Sequence, residues 1–263
     1  MSKTIFITGS TDGIGLETAK DFVSKGHHVI LHGRSKNKLL KVEEELSKLG
    51  SVDSFIADLS DLNAVNKMSD SILEKYKSID VLINNAGVYK TGSPIVKGYD
   101  IRFTVNTVAP YLITKKLLPS LKKGSRVINL SSAAQDTVEV EALLGNIKLS
   151  DFDAYAQSKL AIAMWSFDMA YKHKDLTIIA VNPASLLGTK MVKEGFDTDG
   201  KDIGIGVRIL LALSLDQKYK SDSGKYFDND SGKFTSPHPD GVSDENISKV
   251  VQTIESIIKK ELN

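Results

Sequence analysis

The chain has 263 residues, of which 41% are hydrophobic and 25% charged, and its formal net charge is +1. This composition is ordinary for a globular protein, and the length fits one α/β domain over residues 1–263. A near-neutral chain without a basic tract argues against nucleic acid and anionic membrane as partners. The absence of cysteine excludes disulfides, thiolate catalysis and zinc–thiolate sites.

The first residues lack the features of a signal peptide. Met1 to Thr4 leads directly into the apolar run TIFIT, without a basic region or a long apolar segment, and no 18-residue apolar span follows. We therefore expect a cytoplasmic protein without a membrane segment. The five histidines are scattered along the chain, so we expect no metal site.

Short apolar runs alternate with longer amphipathic segments, a pattern typical of parallel strands joined by crossover helices. The predicted strands are 4–8, 28–31, 54–57, 81–84, 126–130, 178–182 and 225–227. The predicted helices are 14–24, 36–48, 62–76, 101–121, 154–172, 204–214 and 244–261. The pattern predicts an α/β fold with a seven-stranded parallel sheet, whose ligands bind at the carboxyl ends of the strands.

A glycine-rich segment, TIFITGSTDGIGLETA, places Gly9, Gly13 and Gly15 between the first predicted strand and the following helix. Glycines let a backbone approach a phosphate closely, and the free N–H groups of a helix N-terminus favour an anion. The segment therefore predicts a pyrophosphate site, with a tight turn that binds no ligand as the alternative. No lysine follows Gly15, so the segment does not match a P-loop.

The second predicted strand ends in VILHGRSKNK. An acidic residue at this place usually binds the 2′-hydroxyl of NAD, but here Gly33 and Arg34 follow the strand, and arginine suits the 2′-phosphate of NADP. NADP(H) is therefore the preferred cofactor and NAD the alternative. Two points weigh against this preference: Asp12 adds a negative charge nearby, and Arg34 could be a solvated loop residue.

In DFDAYAQSKLAIAMW, residues 151–165, Tyr155 and Lys159 lie four positions apart on a predicted helix. That spacing puts both side chains on one helical face. A nearby positive charge favours tyrosinate, so Tyr155 could act as an acid or a base. Taken alone, a pair at this spacing is far more often a surface contact between a ring and a lysine stem, so the rest of the chain has to decide.

Four motifs in this order resemble those of the classical short-chain dehydrogenase/reductase family. They are TGSTDGIG at 8–15, NNAG at 84–87, NLSS at 129–132 and YAQSK at 155–159, and the resemblance extends from about residue 4 to 235. It implies a doubly wound Rossmann-type sheet with helices on both faces, a nicotinamide cofactor and hydride transfer at a carbonyl or alcohol. It also implies a homodimer or homotetramer built on the helices near 101–121 and 154–172.

The resemblance implies four catalytic residues, which are Asn106, Ser132, Tyr155 and Lys159. Tyr155 would be the general acid/base, Lys159 would lower its pKa and bind the nicotinamide ribose, and Ser132 would polarise the reacting oxygen. Pro110 has no N–H, so the carbonyl of Asn106 has no intrahelical donor at i+4 and could hold a water of a proton relay.

The implied cofactor contacts extend over most of the chain. They are Gly9, Ser10, Asp12, Gly13, Ile14, Gly15, Arg34, Asp58, Leu59, Asn85, Ala86, Gly87, Tyr155, Lys159, Pro183 and Thr189. Asp58 and Leu59 match the family's adenine contacts, although Asp58 could instead cap the following helix. Asn84 is expected to be structural.

Three features depart from the family pattern. Ser132 and Tyr155 are 23 positions apart, so the segment 133–152 resembles an insertion of the retinol-dehydrogenase-like branch. Ala184 stands where the family usually has the glycine of Pro-Gly, and Thr189 falls one position late. The glycine-containing segment 184–203 is predicted to be a lid over the substrate, with an ordinary surface loop as the alternative.

We therefore expect an NADP(H)-dependent oxidoreductase acting on a small-molecule carbonyl or alcohol. The alternative is a non-catalytic NADP-binding sensor or regulator on the same fold, which would not need all four catalytic residues. A sugar-nucleotide epimerase or dehydratase is a third reading, disfavoured by the chain length and the glycine spacing.

Overall fold

The computed structural model describes the backbone of residues 1–263 and every side chain except that of Phe196. Its strands are β1 (Thr4–Ile7), β2 (His28–Gly33), β3 (Val52–Ile56), β4 (Ile79–Asn84), β5 (Ile95–Val96), β6 (Tyr99–Asp100), β7 (Leu121–Leu130), β8 (Thr177–Asn182), β9 (Lys225–Asp228) and β10 (Lys233–Thr235). Eight of these form one sheet in the order β10-β9-β8-β7-β4-β1-β2-β3, and β5 pairs with β6 in a separate hairpin.

All seven predicted strands are present and parallel, which confirms the doubly wound α/β fold. The sheet has an eighth strand, because β10 adds an antiparallel edge next to β9. β10 has three residues and the β5–β6 pair two residues a strand, too few for a period-2 pattern to appear in the sequence. β7 begins at Leu121, five residues before the predicted strand.

The helices are α1 (Gly13–Ser24), α2 (Lys36–Ser47), α3 (Leu62–Lys75), α4 (Ile101–Phe103), α5 (Ala109–Leu117), α6 (Val140–Leu143), α7 (Asp151–Lys172), α8 (Lys190–Phe196), α9 (Gly204–Leu215) and α10 (Asp244–Leu262). The sequence prediction missed α6 and α8, which lie inside the segments 133–152 and 184–203. α7 begins three residues earlier than predicted, because the side chain of Ser150 accepts the Asp153 N–H and caps it.

The predicted helix over 101–121 is not continuous. Between α4 and α5, residues Thr104–Val108 form a π-helical turn, in which the N–H of Ala109 bonds the carbonyl of Thr104. Pro110, near the start of α5, cannot donate to the carbonyl of Asn106, so the regular α-helical ladder is broken at this point. A 3₁₀ turn at Leu118–Ser120 then ends the segment before β7.

Helices pack on both faces of the sheet because strand side chains alternate between the faces. Phe6 of β1 packs in the core formed with α3, α5, α7 and α10, whereas Ile5 and Ile7 pack with α1, α2 and α9. Trp165 of α7 is fully buried in the first core, with its ring edge-on to Tyr111 of α5 at 5.6 Å between centroids. Trp165 is therefore a core residue.

α10 covers the outer side of α7 and α3. Its Glu255 bonds the hydroxyl of Tyr111 and forms an ion pair with Lys115, both on α5. These are the helices on which the resemblance placed a subunit interface, so a homo-oligomer that uses them would first have to displace α10. Among the residues described, no helix is both long and apolar enough to span a bilayer.

Candidate active site

A cavity of about 560 Å³ lies at the carboxyl ends of β1, β2, β4 and β7. Ligand pockets of this size and position are typical of open parallel sheets. Every predicted cofactor residue lines it except Ser10 and Gly15. Of the four predicted catalytic residues, Tyr155 and Lys159 line it, and Ser132 and Asn106 do not.

The glycine turn forms one end of the cavity. Gly9 and Gly13 have φ values of +66° and +57°, which side-chain-bearing residues rarely adopt. A Cβ on Gly15 would overlap the carbonyl oxygen of Gly9 and the amide of Asn85, so Gly15 lets α1 approach the turn. Asp12 caps α1 by accepting the Gly13 N–H at 2.8 Å.

His32 supports the glycine turn from below, and the sequence prediction missed it. Its Nδ1 accepts the N–H of Gly9 at 3.0 Å, and its Nε2 lies 3.2 Å from the carbonyl oxygen of Ala57. Nε2 therefore carries the proton and donates to Ala57. Burial lowers the pKa of His32 to about 4, so the ring is neutral at physiological pH. Ser10, which is absent from the cavity wall, makes hydrogen bonds with the backbone of His32 in both directions.

The far end of the cavity is lined by Arg34, Lys38, Asp58 and Leu59. The guanidinium of Arg34 is exposed and has no ion-pair partner in the described part of the chain. Lys38 lies 3.8 Å from Asp12 and offsets part of its negative charge. Asp58 accepts hydrogen bonds from the N–H and hydroxyl of Ser60, whereas the cap of α3 is Asp61.

The segment after β4 joins the glycine turn to the centre of the cavity. The side-chain amide of Asn85 donates to the carbonyls of Thr8 at 2.9 Å and Gly9 at 3.0 Å. A Cβ on Gly9 would lie 2.9 Å from the Cα of Ala86, so the two segments are in close contact. Asn84 is buried and donates to Asn129 at 2.7 Å and to Thr114 at 3.0 Å, which ties β4 to β7 and α5.

Lys159 is a buried ammonium without a carboxylate. Only 4% of the residue is exposed, and its Nζ donates to the carbonyl of Leu130, the last residue of β7, at 2.8 Å. An ammonium has three N–H donors, and this carbonyl is the single acceptor that Lys159 has among the described residues. Burial lowers the pKa of Lys159 to about 8.

Tyr155 lies beside Lys159, with Nζ 5.6 Å from the centre of the phenol ring. Burial raises the pKa of Tyr155, and a hydrogen bond with the side chain of Ser132 acts in the opposite direction. Ser132 therefore lies on the side of Tyr155, whereas Ser131 donates to the carbonyl of Lys159 at 2.6 Å and holds the helix to the strand end.

Asn106 lies beneath this pair and is fully buried. Its Oδ1 accepts the N–H of Val88 at 2.8 Å, and its Nδ2 donates to the carbonyl of Val88 at 3.0 Å and to Ser158 at 3.0 Å. The side chain thus links the segment after β4 to α7 next to Tyr155.

The segment 184–203, for which we keep the name lid from the sequence prediction, contributes residues to the last side of the cavity. Its Thr189 and Met191 line the cavity, as does Pro183 just before it. Thr189 caps α8 and lies 3.6 Å from the position of a Cβ on Gly13, so its late position in the sequence still brings it to the site. Ala184 has a φ of +124°, which explains why a glycine is favoured at this position.

The model of the short chain dehydrogenase family matches residues 3–200. The chain belongs to the short-chain dehydrogenase/reductase family. As a member of this family, the chain is an oxidoreductase that acts on CH–OH or C=O groups and uses a nicotinamide cofactor.

Curated relatives of this short-chain dehydrogenase/reductase include retinol dehydrogenase 12 of Bos taurus, which is 30% identical over 89% of this chain and 80% of the relative. This relative confirms the resemblance to the retinol-dehydrogenase-like branch. The family member FEY of Arabidopsis thaliana is 31% identical over 70% of this chain, which spans only 54% of that relative's length.

Solved structures support the fold. An uncharacterised protein from Mycobacterium paratuberculosis superposes with a TM-score of 0.82 at 22% identity, covering 98% of this chain and 93% of the other. A short chain dehydrogenase from Shigella flexneri complexed with NADP superposes with a TM-score of 0.68 at 24% identity, covering 87% of this chain and 97% of the other.

The neutral His32 under the glycine turn predicts a specific pH dependence of stability. The pKa of His32 is about 4 in the folded chain and 6.5 in the unfolded chain. Between these two pH values the unfolded chain therefore binds a proton that the folded chain does not bind. The free energy of unfolding should therefore be highest above pH 6.5 and fall by about 3 kcal/mol as the pH drops to 4. The measurement is urea unfolding across this range for the wild type and His32→Asn, whose amide oxygen can still accept from Gly9.

In His32→Asn, the free energy of unfolding should not show the part of the decrease that is due to His32. The control His173→Asn, at the end of α7, should show the same decrease as the wild type. If the wild type and His32→Asn lose the same free energy between pH 6.5 and 4, His32 is not the neutral support of the turn.

Proposed function

We propose that the protein is an NADP(H)-dependent oxidoreductase that transfers hydride between nicotinamide and a small-molecule carbonyl or alcohol, with Tyr155 as the general acid/base. The observation that carries the proposal is the buried ammonium of Lys159, one helical turn from Tyr155 and without a carboxylate partner in the described residues. A buried charge of this kind requires further polar partners, and ribose hydroxyls are suitable acceptors for its remaining N–H groups.

The residues that line the cavity fit a nicotinamide dinucleotide along the whole length of the dinucleotide. The glycine turn and the N-terminus of α1 suit the pyrophosphate, and Asp58 and Leu59 suit the adenine side. Pro183 and Thr189 lie at the nicotinamide end. The exposed, unpaired guanidinium of Arg34 supports NADP over NAD, because it can bind a 2′-phosphate bidentately. The NADP complex of the Shigella flexneri neighbour is consistent with this choice.

In the reduction direction, a reduced nicotinamide held in this cavity would supply the hydride. The Tyr155 hydroxyl gives its proton to the carbonyl oxygen, and Ser132 donates a hydrogen bond to the same oxygen. The ammonium of Lys159 stabilises the tyrosinate that this transfer leaves behind, and the low dielectric around a buried pair strengthens that effect.

The proton on Tyr155 has to be replaced after each turnover. We propose that the relay runs from Lys159 towards the carbonyl of Asn106, which Pro110 leaves without an i+4 donor. The buried side chain of Asn106, fixed by Val88 and Ser158, would hold that carbonyl in place.

The remaining parts of the proposal rest on the sequence. They are a cytoplasmic location, a single domain over residues 1–263 and a homodimer or homotetramer, which would have to use surfaces that α10 does not cover. A non-catalytic NADP sensor is the alternative, and the first variant below separates it from an enzyme.

Tyr155→Phe should lower the turnover of NADPH with a panel of aldehydes by roughly 10²- to 10⁴-fold, because the ring remains and only the proton donor is lost. NADPH affinity, followed by nucleotide fluorescence, should change by no more than about fivefold, since a hydrogen bond typically contributes about 1 kcal/mol. Tyr171→Phe is the matched control, because Tyr171 is an exposed phenol near the end of the same helix.

Unchanged turnover in Tyr155→Phe would exclude Tyr155 as the acid. A wild type that binds NADPH tightly but reduces no aldehyde or ketone would instead favour the sensor.

Arg34→Ala should raise the dissociation constant of NADPH about 10- to 100-fold, as expected for losing a charge-assisted contact to phosphate. The dissociation constant of NADH should change by less than about twofold, because NADH has no 2′-phosphate. Lys36→Ala is the control, since Lys36 is an exposed cation two residues away that does not line the cavity. Equal losses for NADPH and NADH would contradict the role of Arg34 in binding the 2′-phosphate.

A further inference from the structure

Tyr89 lies between Tyr155 and the lid. Only 8% of the residue is exposed, and its ring centre is 5.1 Å from that of Tyr155 at an interplanar angle of 60°. Tyr89 also lines the cavity. One side of its ring is therefore in contact with the phenol that the proposed reaction uses as acid.

The lid helix α8 packs against the same ring. A Cβ on Gly195 would lie 2.6 Å from Cδ1 and 2.7 Å from Cε1 of Tyr89, closer than real carbon contacts allow. The backbone of α8 can therefore reach this position only because residue 195 has no side chain. Met191 and Glu194, on the same short helix, line the cavity.

The backbone of Tyr89 is fixed to the elements that carry the catalytic residues. Its neighbour Val88 is held on both backbone groups by Asn106. The carbonyl of Tyr89 accepts from the buried guanidinium of Arg102 at 3.4 Å, and the same guanidinium bonds Asp151, the first residue of α7. The backbone of Tyr89 is thus tied through Arg102 to the helix that bears Tyr155.

The two ends of the lid are joined to each other. The N–H of Lys201 donates to the carbonyl of Leu186 at 2.6 Å, and the N–H of Gly188 donates to the carbonyl of Lys201 at 2.7 Å. Asp230, in the turn between β9 and β10, accepts from the N–H of Ser185 at 3.0 Å. Because the two ends of the lid are bonded to each other, α8 lies within a closed loop. The contact with Tyr89 limits how closely α8 can approach Tyr155.

We propose that Tyr89 is a positioning residue whose ring stops the lid helix at Gly195 and so sets the distance between the lid and Tyr155. This distance limits the width of the space beside the reacting carbonyl, so Tyr89 and Gly195 together favour substrates with slender groups next to that carbon over branched ones. The proposal rests on the proposed function for its substrate part. The contact between Tyr89 and the lid is independent of it.

The test is a double-mutant cycle. Gly195→Ala introduces a methyl group that has to push α8 away from the ring, and Tyr89→Ala removes the ring that the methyl would meet. Tyr89→Phe keeps the two ring carbons that the methyl would meet, so the clash with Gly195→Ala remains. Gly92→Ala is the matched glycine control, because a Cβ there has no atom within 4 Å.

The first readout is backbone hydrogen exchange of residues 190–196 by mass spectrometry, which needs no substrate. Gly195→Ala should increase the exchange rate roughly tenfold in the wild-type and Tyr89→Phe backgrounds and by less than about twofold in the Tyr89→Ala background. Gly92→Ala should leave this exchange unchanged. An equal effect of Gly195→Ala in all three backgrounds, or none in any, would overturn the proposal.

The second readout is kcat/KM for NADPH-dependent reduction of a straight-chain and an α-branched aldehyde. Gly195→Ala should change the ratio of the two values by roughly tenfold, and Tyr89→Ala should abolish that change. An unchanged ratio would overturn the substrate part. If the wild type reduces neither these aldehydes nor any other carbonyl, the proposed function fails, and the hydrogen exchange result alone decides whether Tyr89 stops the lid. If Tyr89→Ala does not fold, Tyr89→Val takes its place in both readouts.

Discussion

The hydrogen bond between the ammonium of Lys159 and the carbonyl of Leu130 is the interaction on which the site depends. It joins α7, which bears Tyr155, to the end of β7, and β7 lies next to β4 in the sheet. Because Lys159 is buried without a carboxylate, its charge is available to Tyr155 and to a ligand instead of being neutralised within the protein. The sheet order brings the ends of β4 and β7 together and so places these groups in one cavity.

The residues around this bond form a connected support. Ser131 holds the backbone of Lys159, Asn106 holds Val88 and Ser158, and Arg102 ties the next residue, Tyr89, to the start of α7. Several of these contacts are made by buried polar groups, which are costly to leave unpaired and are therefore strongly specific for one arrangement. The lid meets this support where the backbone of Gly195 packs against the ring of Tyr89.

Most of the fold could be predicted from the sequence because the central parallel strands, such as β1, β4 and β8, are almost wholly buried and read as apolar runs. The catalytic and glycine motifs were recognisable because their spacing follows strand ends and one helical turn. His32, Tyr89 and Gly195 could not be predicted in this way, since their roles arise from contacts between segments far apart in the chain. The short elements α6, α8 and β10 were missed because they contain too few residues to show a helical or strand periodicity in the sequence. Pro110 indicated a break in the helix near Asn106 but did not reveal that the break is a π-helical turn.

The most direct test of the central claim is a crystal structure of the protein with NADP bound. The account predicts that the ribose hydroxyls next to the nicotinamide occupy the free N–H groups of Lys159, with the pyrophosphate at the glycine turn and the 2′-phosphate at Arg34. A nucleotide bound outside this cavity, or one whose nicotinamide ribose makes no contact with Lys159, would contradict it.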